Sequence, residues 1–431
     1  MTRWLRIIIL SLLVGGCTYE PTGAEKDTVS ELTSKMTTHG LGRYLVDLPS
    51  SWRYGSGEVT LYYGLDADFK TVQIQIINQD VTDAQFQAAM EWRAQRLRAV
   101  VHADTHTPML IGVWPQNVQV DGDPKRQAIL IRYYHSSMVD SAHTHELHLL
   151  LGGTYVQLKA DSYKGVINPV ETRLKALAKQ IFVISDPVRA GPGFVLGPIV
   201  IRGTHDQEVS TVKFYDPDRR DLTLEINSSA VTPDESRRLL QRSQAALPLF
   251  RRGGAKLDTL RSGQRAFAGM EGEEDMLGSD SMQDDGARVR RLLFSAETYR
   301  RDPGLSRPTL TVQLKSGGHL SWLSDAERQA RRDAPDFLMT EGYLPKFAAK
   351  SRQSSAARIP PITSSLTDYE AMSAWDAILP TIRLRSGALP RPDAGDDRAS
   401  PISREQAERD RRALNDFLSS WPVDNPDKSA S

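Results

Sequence analysis

The sequence predicts an α+β protein built from two related halves, each a mainly antiparallel sheet with helices packed on one face. Three observations carry this. Strand-like stretches alternate apolar and polar residues with period two. Helices with capping-box starts follow them. The same strand, box and helix face return about 150 residues further on, as a duplication requires.

In the first half, Val72, Ile74 and Ile76 alternate with Gln73 and Gln75. Thr82 and Gln85 then form a capping box, and Phe86, Ala89, Met90, Leu97 and Val100 share one helical face. In the second half Leu222, Leu224 and Ile226 alternate with Thr223 and Glu225. Thr232 and Glu235 make the second box, with Pro233 at the first helical position, and Leu239, Leu240, Leu247 and Phe250 continue the helix. Val156-Gln157-Leu158-Lys159 recurs as Val312-Gln313-Leu314-Lys315. The first half closes with a helix from about Asn168 to Glu171 into the strand Ile181–Ile184. The second closes with a helix from Thr367-Asp368-Tyr369-Glu370 into Ile382-Arg383-Leu384. Both closing helices begin with a capping-box pattern.

The N-terminus reads as an address. Arg3 and Arg6 precede an apolar run from Ile7 to Val14, too short for a resident span, which needs about 20 residues. Leu13-Val14-Gly15-Gly16-Cys17 resembles a bacterial lipobox, so Cys17 is expected to carry the lipid. Thr18 is not Asp, which favours the outer over the inner membrane. The boundaries expected are a signal peptide (1–16), a flexible tether (17–38), a first domain (39–186), a Pro- and Gly-rich linker (187–197), a second domain (198–390) with an insert at about 319–365, and a polar tail (391–431) with a charged helix at Ser403–Ser419.

Composition narrows the function. The 431 residues carry 54 Lys+Arg and 54 Asp+Glu, so the surplus of positive charge that nucleic acid demands is missing. One cysteine excludes disulfide frameworks and Cys-ligated metal clusters. The sequence has no G-x-S-x-G elbow, no phosphate loop and no H-E-x-x-H pair. No cofactor is expected. His143, His145 and His148 approach a metallo-hydrolase signature, but Leu147 stands where that signature needs a carboxylate. They are read as histidines on a polar hairpin, with a metal-dependent envelope hydrolase as the alternative; His102 and His106 would join only if the fold brought them near. The acidic run Glu271, Glu273, Glu274 and Asp275, between glycine-containing turns, is read as a partner-facing loop together with 278–287. Trp52, Trp92, Trp114 and Trp375 are read as core or hinge residues.

Several phrases resemble one family. Gly42-Arg43-Tyr44-Leu45-Val46-Asp47-Leu48-Pro49 and Tyr63-Gly64-Leu65-Asp66 are similar to the N-terminal domain of immunity proteins against type VI secretion lipase effectors, in their fourth group. Phe267-Ala268-Gly269-Met270-Glu271-Gly272-Glu273-Glu274, the Arg307–Gly318 stretch and Ala374-Trp375-Asp376-Ala377-Ile378-Leu379 resemble their C-terminal domain. The resemblance implies two domains set like a claw and a periplasmic protein that binds and occludes a cognate phospholipase without being an enzyme. Contact with the membrane would run only through the lipid anchor. A structural envelope lipoprotein with a binding role is the further alternative.

Overall fold

The computed structural model describes residues 19–63, 70–121, 126–231, 237–252, 256–282, 286–299, 303–318, 320, 327 and 361–389. After helix α1 (Gly23–Thr33), the first half runs β1 (Met36–Gly42), β2 (Tyr44–Pro49), β3 (Arg53–Tyr62), β4 (Thr71–Asn78), α2 (Asp83–Ala99), β5 (Leu110–Pro115), β6 (Arg126–Ser136), β7 (Val139–Leu151), β8 (Thr154–Tyr163), α3 (Ile167–Ala178) and β9 (Ile181–Val183). The second runs β10 (Phe194–Leu196), β11 (Ile199–Ile201), β12 (Gln207–Tyr215), β13 (Thr223–Ser229), α4 (Leu239–Arg252), β14 (Lys256–Gln264), β15 (Gly272–Met282), β16 (Arg288–Thr298), β17 (Thr309–Ser316), α5 (Asp368–Ile378) and β18 (Arg383–Leu384).

The duplication is written into the strand order. One sheet of twelve strands reads β14-β15-β16-β17-β13-β12-β3-β4-β8-β7-β6-β5, so each half repeats the other outward from the central β3–β12 ladder. Registers agree as well. Ile74 faces Leu158 and Ile76 faces Val156; Leu224 faces Leu314 and Ile226 faces Val312. The pseudo-two-fold passes close to the Gly57–Val212 pair. A side chain at Gly57 would put its Cβ 2.7 Å from Leu196, so this glycine lets the second sheet approach.

That second sheet reads β18-β2-β1-β10-β11-β9. Here the halves exchange strands. β9, which ends the first half, pairs with β11 of the second. β18, which ends the second half, pairs with β2 of the first. One apolar core runs through both halves between the two sheets, from Leu32 and Val46 through Phe214 and Phe294 to Trp375.

Several expectations change. The 17–38 tether is structured from Tyr19 onward. α1 is capped by Thr22, whose hydroxyl accepts from the Glu25 backbone N–H while Glu25 answers the Thr22 N–H at 2.8 Å. Leu32 is buried in the common core. The 187–197 linker contains β10, whose Phe194, Val195 and Leu196 are fully buried in the centre of the small sheet. The boxes at Thr82 and Thr367 form as read, whereas α3 starts at Ile167 with no side-chain cap, placing Asn168 inside the helix. Val100 ends α2 exposed. Trp52 and Trp375 are core, but Trp114 lies on the surface under Arg132, and half-buried Trp92 stacks with Arg96. The box at Thr232, the side chain of Phe250, nearly all of the 319–365 insert and the tail helix lie outside the described residues.

The helices do not share one face. Phe86, Ala89 and Met90 of α2 pack with Ile77, Ile129, Ile131 and Tyr155. Val170 and Leu174 of α3 pack on the opposite face, with Ile74, Leu147 and Leu158. The cause is the length of the buried strands: Glu146–Leu151 is buried at every residue, so both faces need a cover. α4 and α5 repeat the arrangement around β15, with Ser243 of α4 donating to Asp275 and Trp375 of α5 donating to Glu274.

Candidate interaction face

Between α2 and α4 no helix among the described residues lies over the outer face of the large sheet. Six strands, β8-β4-β3-β12-β13-β17, present alternate residues there. These are Gln157 and Lys159, Gln73 and Gln75, Glu58 and Thr60, Thr211 and Lys213, Glu225 and Asn227, and Gln313 and Lys315. Their neighbours in sequence (Ile74, Leu158, Val212, Leu224, Val312) are buried in the core on the other side. Period-two alternation thus makes this face polar by the same pattern that makes the core. At ~4.8 Å per strand, the five spacings make the floor about 24 Å wide.

The floor is cross-linked. Gln73 donates to Glu58 at 3.0 Å, Thr211 donates to Asn227 at 2.6 Å, and Lys213 and Lys315 lie 3.5 and 3.7 Å from Glu225. Burial would raise the Glu225 carboxyl, but the two lysines outweigh it and hold it below the usual range. A polar, internally braced surface of this width suits a protein ligand. Small-molecule sites are concave and mostly apolar instead.

The histidines of β7 fall on opposite faces of the strand, as alternation demands. His145 faces α3. Its ring nitrogens lie 2.7 Å from the Ser162 hydroxyl and 3.1 Å from Glu171. His148 faces α2, with Nδ1 2.7 Å from the Tyr155 hydroxyl and Nε2 3.2 Å from Glu146. Arg93 adds a two-point contact to Glu146 at 2.8 and 3.0 Å, and Tyr133 donates at 2.8 Å. Burial works against the Glu146 charge, yet hydrogen bonds from His148 and Arg93 prevail and hold the carboxyl far below its ordinary value. Both ring nitrogens of His148 thus have partners within the protein. A metal ligand needs a free ring nitrogen, and neither imidazole offers one. His143 and His102 flank Tyr134, at ring distances of 5.7 and 4.4 Å. The reading of this run as a polar hairpin is corrected: all three β7 histidines are buried.

The acidic group is corrected in the same sense. Glu273, Glu274 and Asp275 are strand residues of β15 and buried; only Glu271 is exposed. Glu273 accepts from the Leu240 N–H at the start of α4. Glu274 accepts from Trp375 Nε1 at 3.1 Å and sits 2.8 Å from Arg261, which also grips Asp376 of α5. Asp275 takes the Ser243 hydroxyl. Adjacent carboxylates of one strand therefore hold helices on both faces. Of the 278–287 segment, 278–282 continue β15. Cys17 lies outside the described residues.

A seam missed in the sequence joins the halves. Arg43, at the β1–β2 turn, makes a two-point pair with Glu208 of β12 at 2.9 and 3.0 Å and donates to the Ala388 carbonyl. His205 lies 2.7 Å from the same carboxylate. Arg385, buried beside Arg43, donates to the carbonyls of Gly191 and Gly193, and burial and the neighbouring charge push its guanidinium down. Arg43 stands inside the phrase that carries the family resemblance, but nothing in its local pattern names a partner 165 residues away.

Fold and face together define a scaffold with a broad polar surface. Residues 187–336 match the family model described as the Tle cognate immunity protein 4 C-terminal domain. Over those residues the chain is similar to the C-terminal domain of that immunity family. Among solved structures, the chain is similar to the apo form of TplEi, a type VI secretion immunity protein of Pseudomonas aeruginosa, at 20% identity and a TM-score of 0.52, covering 82% of this chain and 98% of that one. It is also similar to a chain in the crystal structure of the Tle4–Tli4 complex, at 19% identity and a TM-score of 0.53, covering 83% and 99%. At these identities the likeness establishes the α+β fold. No curated protein matches the chain by sequence. Among the described residues no helix is long and apolar enough to cross a membrane.

Proposed function

We propose that the protein is a periplasmic, lipid-anchored immunity protein that binds a type VI secretion phospholipase effector of its own cell line and occludes it. The observation that carries this reading is the match of residues 187–336 to the immunity C-terminal domain. The sheet face between α2 and α4 is the seat assigned to the effector, with the two halves of the chain as the arms of the claw. Its floor, about 24 Å wide, has the scale of a standard protein interface of roughly 800 Å² per partner. Glu271, the exposed member of the acidic group, is the residue of that group left to meet the partner. Occlusion needs no reacting group on the inhibitor: it needs a rigid surface, and the braced floor supplies one.

The test is a titration. The purified full chain is added to the cell's own type VI phospholipase acting on phospholipid vesicles. Hydrolysis is expected to fall to background at an equimolar ratio. Full hydrolysis at a tenfold excess would refute the proposal. Lys213→Gln with Lys315→Gln, assayed in protein shown to be folded by circular dichroism, is expected to raise the inhibitor needed at least tenfold, which assigns the seat separately from the function.

A further inference from the structure

We infer that the lipid anchor mounts this protein in one fixed orientation, with the α1–α5 side against the bilayer and the polar sheet face turned away from it. The inference rests on the lipid anchor at Cys17 proposed above and adds the geometry of its attachment.

The chain is already bound to the body two residues after Cys17. The Tyr19 hydroxyl donates to Glu25, and the Tyr19 ring lies 5.9 Å from that of Tyr369 on α5. Glu25, itself buried, accepts from the backbone and hydroxyl of Thr22 at 2.8 and 3.0 Å. Its carboxyl is held down to about 2, first by the Tyr19 hydroxyl and then by Thr22. Further along α1, Leu32 is inserted in the common core and Glu31 pairs with Arg219 at 3.0 Å. The segment is therefore fastened to the body at Glu31 and Leu32, capped at Glu25, and touches α5 through the exposed Tyr19 ring. A fully extended chain gains at most ~3.6 Å per residue, so Cys17 lies within about 7 Å of Tyr19. Acyl chains on Cys17 then hold the Tyr19–Tyr369 edge of the body at the headgroups.

The location of α1 fixes what faces outward. α1 packs on α5 and β2, on the side of the large sheet that carries the small sheet and the common core. The polar floor of Glu58, Lys213, Glu225 and Lys315 is on the reverse. A leash of some twenty flexible residues would let the body tumble; this attachment does not. Around the anchor the exposed groups include Glu20, Asp27 and Lys26, with no basic excess, so the acyl chains and not charge hold the surface to the bilayer.

The experiment uses the full lipoprotein in phosphatidylethanolamine–phosphatidylglycerol vesicles containing a quencher confined to the bilayer. The chain has one cysteine, so once Cys17 is acylated an introduced thiol is labelled alone. Fluorophores are placed at Asp27→Cys, on α1, and at Glu58→Cys, on the sheet face. Quenching several-fold stronger at 27 than at 58, unchanged by salt, is expected. Inserting about 15 Gly/Ser residues after Thr18, a coil of roughly 20 Å, is expected to abolish the difference. Equal quenching at the two sites in protein whose Cys17 is acylated by mass spectrometry would overturn the fixed mount and leave the anchor standing. An unmodified Cys17 would overturn both.

Discussion

Removing Arg43 tests whether the halves are one folding unit. Its guanidinium pairs at two points with Glu208, and both side chains are at most 4% exposed. Arg43→Met leaves a buried carboxylate with only His205 beside it. Breaking a buried pair by deleting one partner costs about 3–5 kcal/mol, because the remaining charge keeps its desolvation penalty. Glu208→Leu strands Arg43 between that histidine and Arg385 and is expected to cost the same. The double change removes both charges and restores apolar contact, so it is expected to cost less than either single change, with a coupling of about 2 kcal/mol or more. Urea unfolding at pH 7.5, followed by fluorescence and by circular dichroism, measures all four proteins. The core is continuous through both halves, so the wild type is expected to unfold in one transition by both probes. Single variants within 1 kcal/mol of wild type, or a double variant equal to the sum of the singles, would refute the account of the seam.

Other outcomes follow from the same geometry. Residues 19–186 expressed alone lack β10, β11 and β18, leaving β9 without its partner and the β1–β2 pair with both outer edges open; this piece is expected to be aggregated or unfolded by circular dichroism. Burial lowers the proton affinity of His39 and His145, so both are neutral in the fold and gain protons on unfolding. Stability is present above about pH 6.5 and is lost as pH falls below it, and a urea midpoint unchanged between pH 7.5 and 5.5 would contradict this. Glu274→Leu takes the acceptor from the buried Trp375 indole and leaves Arg261 with Asp376 alone, and is expected to cost about 1–3 kcal/mol, measured by thermal unfolding. His148→Ala is expected to lower stability by removing one partner of the buried Glu146 and leaving a cavity beside it, without changing the metal content of the purified protein, measured by atomic emission.

Much of the fold was legible where one side of a strand or helix decides its own pattern. Val72, Ile74 and Ile76 against Leu222, Leu224 and Ile226 gave the duplication, and the ladders confirm it residue by residue. Two capping boxes were readable because both partners lie within four residues. What was missed depends on long-range contact. Glu273-Glu274-Asp275 reads as solvent-facing until Arg261, Ser243 and Trp375 arrive from elsewhere. Phe194-Val195-Leu196 looked like linker because flanking glycines and prolines outweigh three apolar residues in a local window. β9 and β18 were visible as strands, but nothing local states that each completes the other half's side of the sheet.

The exchange of closing strands explains why a duplicated chain suits a binding task. Two independent copies joined by a linker would move relative to each other, and a partner gripped between them would have to order that motion. Here the copies share the β3–β12 ladder on one sheet, and on the other each closes on its neighbour. The floor between α2 and α4 is then a single surface made by both halves, with β3 and β12 at its centre. Cutting either strand exchange is therefore expected to weaken partner binding more than it weakens the core of the half it belongs to. Deleting β18 alone measures this: the loss of inhibition should exceed what the shift in urea midpoint accounts for. If inhibition falls only in proportion to the folded fraction, the rigidity of the joined sheet plays no part in binding.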